Sequence, residues 1–179
     1  MPEIEIRPAK IEDISVLIQL THHYRTPIVW QMDHVVDEGE EMITFRQARL
    51  PRPAFVEYPR KPEMLGRIWN EYSAIAVAEL NGSMVGFMGI SEDKAANSAW
   101  VKDLVVEEKF RRQGIGSALV LFGHAWSIQM NLRMIVLEMQ SKNYPMIQLA
   151  LKLGYRFSGY FDQYYPNQDI GIFFSKVLR

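Results

Sequence analysis

Two arginines and two glycines stand where an apolar run gives way to a helix-like pattern. The stretch is Arg111-Arg112-Gln113-Gly114-Ile115-Gly116, and the apolar run before it covers 99–106. Glycine costs about 1 kcal/mol relative to alanine inside a helix, so two at a helix start indicate a close approach to the backbone. Free N–H groups and the positive end of the helix dipole meet there. The stretch therefore predicts an anion site, to which one arginine or both add charge.

Two familiar phosphate-binding loops do not fit this stretch. A nucleotide-triphosphate loop requires Lys and then Ser or Thr after its last glycine, whereas Ser117 and Ala118 follow Gly116. A dinucleotide loop requires a third glycine at position 119, which is Leu119. The chemistry indicated is anion binding through a different loop.

The elements around this loop follow from hydrophobic periodicity. We predict strands at 3–7, 99–106 and 133–140, a hairpin over 74–90 around Asn81-Gly82, helices at 11–24, 114–131 and 143–155, and closing strands within 156–165 and 169–178. The helix over 114–131 is expected to bury a stripe formed by Ile115, Leu119, Phe122, Trp126 and Met130. Residues 25–74, which hold five prolines, are expected to be irregular and to form a substrate-side segment. Within them we predict a strand at 42–50 and a short helix near 63–70.

Composition restricts the classes of function. Twenty basic and 21 acidic residues give a net charge of −1, which favours neither a nucleic acid nor an anionic membrane as partner. Cysteine is absent, and the four histidines lack the spacing of metal ligands, so we expect no metal site. The N-terminus does not resemble a signal peptide, and no apolar stretch is long enough to cross a membrane. We expect one cytoplasmic domain over 1–179.

Three segments carry a resemblance to a known family. The stretch 111–116 fits Arg/Gln-x-x-Gly-x-Gly/Ala, the diphosphate loop of the GNAT superfamily of acyl-CoA-dependent N-acetyltransferases. "RPAKIEDI" is similar to the family's first strand and helix, and "NYPMIQLALKLGY" resembles its second coenzyme A motif. The resemblance implies an α/β (α+β) fold: a mixed, mainly antiparallel sheet of about seven strands, splayed at its centre, with helices on both faces. Shorter pieces, "LEMQSKN" among them, resemble the streptothricin acetyltransferase-like branch.

The resemblance also implies which residues bind acetyl-CoA. The diphosphate would lie against the loop formed by Arg111, Arg112, Gln113, Gly114, Ile115, Gly116 and Ser117. The backbones of Leu104 and Val106 would pair with pantetheine, and the amide of Val105 would lie near the thioester oxygen. Asn143 matches the second motif and is expected to contribute.

Candidate catalytic groups are less well defined by the sequence. Asp103 is the preferred base for the amine, ahead of Glu92 and Asp93. A charged residue within a strand that is covered on both faces is costly unless it is paired or has a function. The alternative is that Asp103 lies at a cleft rim or pairs with Lys102 or another neighbour.

The sequence also does not decide which group protonates the thiolate. Family members commonly carry a tyrosine where this chain has Ala150, so Tyr144, Tyr164, two other tyrosines (Tyr160 and Tyr165) or water would have to protonate it. The alternative for each tyrosine is packing in the core or at the rim.

The predicted function is acetyl transfer from acetyl-CoA to a primary amine of a small molecule, by direct attack. Acidic residues within 33–41 either form a solvated loop or attract a cationic amine. Two other functions are open: acetylation of a protein N-terminus or lysine, and acyl-CoA binding without turnover. The sequence does not decide whether the protein forms a homodimer.

Overall fold

A mixed sheet forms the body of the protein, whose computed structural model describes residues 4–178. Its strands are β1 (Ile4–Pro8), β4 (Ala74–Leu80), β5 (Ser83–Asp93), β6 (Ser98–Val106), β7 (Met134–Gln140), β8 (Arg156–Phe161) and β9 (Gly171–Val177). Within the described residues they pair in the order β1-β4-β5-β6-β7-β9-β8. Neighbours are antiparallel except β6 and β7, which are parallel. The predicted seven-stranded, mainly antiparallel sheet is confirmed.

The sheet opens at its centre because β6 and β7 pair over only part of their lengths. Residues 98–101 of β6 pair with 134–137 of β7. The register between β5 and β6 then shifts, leaving Lys102 as an extra residue on β6. Such a bulge bends its strand away from a neighbour, so the C-terminal ends of β6 and β7 separate. The predicted splay is therefore present.

Helices cover both faces of the sheet. Helices α3 (Ile115–Gln129) and α4 (Tyr144–Lys152) contribute to one buried cluster, whereas α1 (Ile14–Leu17) and α2 (Leu65–Ile68) contribute to the cluster on the other face. Short 3₁₀ turns adjoin several of these elements, at Ile11–Asp13, Pro62–Met64, Trp69–Glu71 and Glu108–Phe110. The predicted helix near 63–70 corresponds to α2 and its flanking turns.

The buried face of α3 differs from the predicted stripe after its first two members. Ile115 and Leu119 are buried, but Met130 is 48% exposed, and Gly123 and Ser127 face the sheet instead. A Cβ on Gly123 would lie 2.8 Å from the Cε of Met88. The small residue lets the helix approach the sheet closely, which hydrophobic periodicity alone does not predict.

Residues 24–56 form a long hairpin, so the prediction of irregular structure over 25–74 was wrong there. Strands β2 (Tyr24–Asp37) and β3 (Glu40–Val56) pair antiparallel and turn at Gly39, whose φ is +78°. The hairpin is a separate two-stranded sheet in the described part of the chain, so each strand keeps a free edge that tolerates proline. The register shifts beside Pro27.

The predicted helix over 11–24 was too long. The helix ends at Leu17 and β2 begins at Tyr24. The backbone N–H of Thr21 donates to Glu107, and the carbonyls of Thr21 and His23 accept from Arg111. Because these groups bind the loop after β6, they cannot continue a helix. Among residues 4–178, no helix is both long and apolar enough for a membrane span.

Candidate active site

The loop before α3 presents a row of unpaired backbone amides. Arg112 and Gly114 have positive φ values of 66° and 90°, and α3 begins at the next residue. Within residues 4–178, the N–H groups of 112–117 have no hydrogen-bond acceptor, while Ala118 N–H already donates to Gly114 O. The predicted anion site therefore has its donors free at the positive end of a 15-residue helix.

Arg111 turns inward and supports this loop. Its Nε donates to Val106 O at 2.7 Å, and its Nη2 donates to the carbonyls of Thr21 at 2.6 Å and His23 at 2.9 Å. Arg112 is exposed. Of the two arginines, Arg112 is therefore the one placed to meet an anion with its side chain, and Arg111 holds the loop against the start of β2.

A cleft of about 600 Å³ lies beside the loop, where β6 and β7 separate. One wall is β6 with Leu104, Val105 and Val106, and the loop closes one end. The other wall is α4, whose N-cap Asn143 accepts from the N–H of Met146 at 3.2 Å. The cleft thus brings together the loop, the end of β6 and the start of α4, as predicted for the coenzyme. Gln113 is exposed, does not line the cleft, and donates its side-chain amide to Lys109 O.

The register of β6 divides its backbone groups between the sheet and the cleft. Glu107 N–H donates to Val85 O, and Val105 lies opposite Phe87 on β5. Because antiparallel pairs alternate, Val105 directs its N–H and C=O to β5, and Leu104 and Val106 direct theirs toward the opening. Leu104 and Val106 therefore turn backbone groups toward the cleft, and their pairing with pantetheine stays a prediction. The amide of Val105 points to β5 and away from the cleft, unlike the placement predicted for it.

Asp103 is held by its neighbours and does not line the cleft. It is 4% exposed and accepts hydrogen bonds from Tyr58, Tyr72 and Arg60. Burial and the adjacent carboxylate raise the pKa of both tyrosines well above their usual range. Of the two interpretations, the structure supports pairing with a neighbour, but that neighbour is Arg60 and not Lys102.

Glu138 joins the same network from β7, and sequence reasoning missed it. Its side chain is completely buried and accepts from Arg60 at 2.6 Å, Lys102 at 2.5 Å and Tyr164 at 3.1 Å. A single charged residue in the middle of the apolar run 134–139 was the signal that could have identified it. The network bridges β6 and β7 just where they separate.

The candidate tyrosines lie outside the cleft. Tyr144 is half-buried on the hairpin side, where its hydroxyl donates to Gln47 at 3.3 Å. Tyr164 donates to Glu138, and burial raises its pKa. Ala150 is fully buried in the core. Neither Tyr144 nor Tyr164 lines the cleft, so the structure gives no support for either as the acid.

The cleft is also lined by three residues that sequence reasoning did not identify. They are His22, Tyr24 and Tyr58. The Tyr24 hydroxyl donates to Gln140 at 3.0 Å, and burial raises its pKa. Burial lowers the pKa of His22. These residues lie just before the hairpin, at its first residue and just after its end, which explains why no local motif reveals them. Within the described residues, no group of three or more histidines, aspartates and glutamates could hold a metal ion.

Comparisons with known proteins agree with this geometry. The Acetyltransferase (GNAT) family matches residues 42–155, which is well over half of the chain. No curated protein matches the sequence significantly.

Several solved structures share the fold. The crystal structure of nourseothricin acetyltransferase has a TM-score of 0.83 at 18% identity, covering 98% of this chain and 99% of that one. A putative streptothricin acetyltransferase from Bacillus anthracis str. Ames, in complex with acetyl coenzyme A, has a TM-score of 0.77 at 19% identity, with 98% and 100% covered. The ribosomal-protein-S18-alanine N-acetyltransferase from Escherichia coli has a TM-score of 0.66 at 15% identity, with 98% and 94% covered. At these identities the likeness concerns the fold.

Proposed function

The chain belongs to the acetyltransferase (GNAT) family, and on that premise we propose that it transfers the acetyl group of acetyl-CoA to a primary amine of a small molecule. The observation that carries the proposal is the row of free amides over 112–117 at one end of the cleft beside β6. In this arrangement the diphosphate accepts hydrogen bonds from those amides, and Arg112 adds a positive charge. The remaining assignments follow from this placement.

The open edge of β6 fits the pantetheine arm. The N–H and C=O groups of Leu104 and the N–H of Val106 point to the cleft and have no strand partner there. Val106 O is already used by Arg111. An extended arm that pairs with these groups runs from the loop along β6, so its thioester lies near Leu104.

The reaction needs a neutral amine beside the thioester carbonyl. When the amine attacks, a C–N bond forms and the C–S bond breaks, and the proton lost by nitrogen balances the thiolate that leaves. An outward-facing amide of β6 stabilises the oxyanion if it lies within hydrogen-bond distance of the carbonyl oxygen.

A covered acceptor side favours a small molecule over a protein chain. The start of β2 is tied across the end of β7, because Trp30 N–H donates to Ser141 O and the Tyr24 hydroxyl donates to Gln140. We infer that this contact covers the acceptor side of the cleft, which an extended peptide would need open. The similarity in fold to nourseothricin and streptothricin acetyltransferases points in the same direction.

Two measurements test this proposal. Calorimetry with acetyl-CoA should give binding in about the micromolar range, and its absence would remove the basis of the proposal. Thiol release is then followed with a panel of small primary amines, and with N-terminal and lysine peptides in parallel. We expect release with small amines and little with peptides. The reverse order would identify a protein acetyltransferase, and tight binding without release would identify an acyl-CoA-binding module.

A further inference from the structure

Strand β3 has a free edge along residues 41–49. Trp30 of β2 donates its N–H to Ser141 O and not to β3, and its cross-strand neighbour is Gln47. Opposite residues of an antiparallel pair share one hydrogen-bonding pattern, so the backbone groups of Gln47 also point away from β2. The register is unbroken from 40 to 49, and the pattern repeats at every second residue. The outward-facing residues of β3 are therefore Glu41, Ile43, Phe45, Gln47 and Arg49.

This edge is long and lacks the usual protection against pairing. Within residues 4–178, the outward N–H and C=O groups of these five residues have no hydrogen-bond partner. No proline or lysine lies between 41 and 49, although exposed edges of natural sheets commonly carry such residues. A sheet of only two strands is also marginally stable by itself. The edge is therefore suited to accept a further strand.

The charge along this edge changes from acidic to basic. Near the tip of the hairpin, the side chain of Glu41 is 65% exposed. One of its carboxylate oxygens contacts His34 of the same chain at 2.7 Å, and the other has no partner within the described residues. At the other end Arg49 is exposed, and among residues 4–178 it forms no ion pair. An edge with opposite charges at its two ends is complementary to an antiparallel copy of itself.

We propose that this edge is a homodimer interface, in which β3 pairs antiparallel with β3 of a second copy. Outward-facing residues must oppose outward-facing residues, and a two-fold axis at Phe45 pairs the whole segment 41–49. Glu41 then lies opposite Arg49 of the second copy, and the symmetry forms this pair twice. The two hairpins become one four-stranded sheet. The interface does not depend on the proposed acetyl transfer.

Apolar side chains beside the edge fit the same register. Met42 is 59% exposed and lies opposite Ala48 of the second copy. Phe157 of β8 contacts Phe45 at 5.3 Å between ring centroids and is still 41% exposed. Both side chains adjoin the line along which the strands pair, so association reduces their contact with water.

Charge exchange tests the register of the dimer. In sedimentation velocity over about 1–200 µM protein, we expect the wild type to dimerise with a Kd in about the micromolar range, since the interface is one pair of strands. Glu41→Lys and Arg49→Glu each place like charges opposite one another twice, so each should raise the Kd at least about tenfold. An equimolar mixture of the two variants again has opposite charges across the interface and should associate like the wild type.

A backbone variant tests the pairing independently of charge. Gln47→Pro removes an N–H that β2 does not use, so the hairpin keeps its hydrogen bonds while the dimer loses two. We expect its Kd to rise at least about tenfold. Val36→Pro is the matched control, because it removes an outward N–H from the other edge of the hairpin, on β2, and should leave the Kd unchanged.

The wild type alone can overturn the proposal, if it stays monomeric up to about 200 µM. In that case the edge would be left to a strand of another protein or to water. A dimer whose Kd is the same in Gln47→Pro and in both charge variants would form through another surface, which also overturns it. If the charge variants dissociate but their mixture does not associate, the register centred on Phe45 is wrong.

Discussion

At the scale of single residues, Gly114 and Gly116 serve the anion loop in different ways. Gly114 adopts φ +90°, where other residues are strained, but a Cβ there would meet nothing within 4 Å. Gly116 is helical, and a Cβ there would lie 3.3 Å from the Cδ2 of Leu149 across the cleft. Gly114 therefore shapes the backbone, whereas Gly116 lets the side chain of Leu149 lie close to the start of α3 in the wall of the cleft.

This difference predicts the effect of filling the space at Gly116. We expect Gly116→Leu to weaken acetyl-CoA binding at least about tenfold, or 1.4 kcal/mol, because the added side chain lies in the wall of the cleft and displaces Leu149. Gly66→Leu on α2 is the control, because a Cβ there has ordinary contact with Ile14 at 3.9 Å and the site lies away from the cleft. Calorimetry on both variants checks this, and equal affinities would show that the coenzyme does not approach Gly116.

The buried network predicts a large cost for neutralising Glu138. Glu138→Gln leaves Arg60 and Lys102 without their shared carboxylate, which should cost about 3–5 kcal/mol of unfolding free energy. Asp33→Asn is the control, since that carboxylate pairs with Arg46 at the surface and its loss should cost far less unfolding free energy. Urea unfolding at pH 7 measures both, and similar losses would contradict the assigned burial.

Asp103→Asn is expected to act through the same network. Its oxygens serve Tyr58, Tyr72 and Arg60, so the substitution should lower stability, and any loss of turnover should track the loss of folded protein.

At the scale of elements, the β2–β3 hairpin contributes residues to the cleft at its base, and its tip is exposed. Its base supplies Tyr24 and ties β2 to the end of β7. Its tip carries the acidic residues within 33–41. The sequence did not decide whether they form a solvated loop or attract a cationic substrate, and none of them lines the cleft. The placement favours the solvated interpretation.

Neutralising the tip tests that interpretation. Glu38→Gln combined with Glu40→Gln should change unfolding free energy by less than about 0.5 kcal/mol and leave KM for a cationic amine unchanged, because both side chains are exposed. Steady-state kinetics at low and high salt measure this. A KM that rises in the variant at low salt and converges with that of the wild type at high salt would instead show electrostatic attraction by the tip.

At the scale of the whole molecule, the cleft exists because β6 and β7 separate beyond residue 101. A ligand that binds there contacts β6, α3 and α4 together, so binding should stabilise the folded state as a whole. Acetyl-CoA at about 100 times its Kd should add about 2.7 kcal/mol, which corresponds to a rise in Tm of about 5–10 °C for a chain of this size. Thermal unfolding with and without acetyl-CoA measures the shift.

The Gly116→Leu variant is the control for this shift. Measured against its own Tm without ligand, it should show a much smaller rise with acetyl-CoA than the wild type. An equal rise in both proteins would place the ligand elsewhere.

The sequence by itself determined the parts of the protein that local chemistry specifies. The loop over 111–117, the turn at Asn81-Gly82, and the Asn143 cap of α4 each depend on residues close together in the chain, whose backbone preferences are strong. The succession of strands and helices along the chain, and the family resemblance, were read from the same kind of local pattern.

Only the tertiary structure decided what distant segments do together. The hairpin over 24–56 was predicted only in part, as the strand at 42–50, because much of the rest is exposed and is interrupted by Pro27, Pro51 and Pro53. Arg60 binds Asp103 and Glu138 across 43 and 78 positions of sequence, and His22 reached the cleft because Arg111 and Glu107 hold residues 21–23 beside β6. Charges and lone pairs act over ångströms in space, so their roles depend on which strands lie side by side.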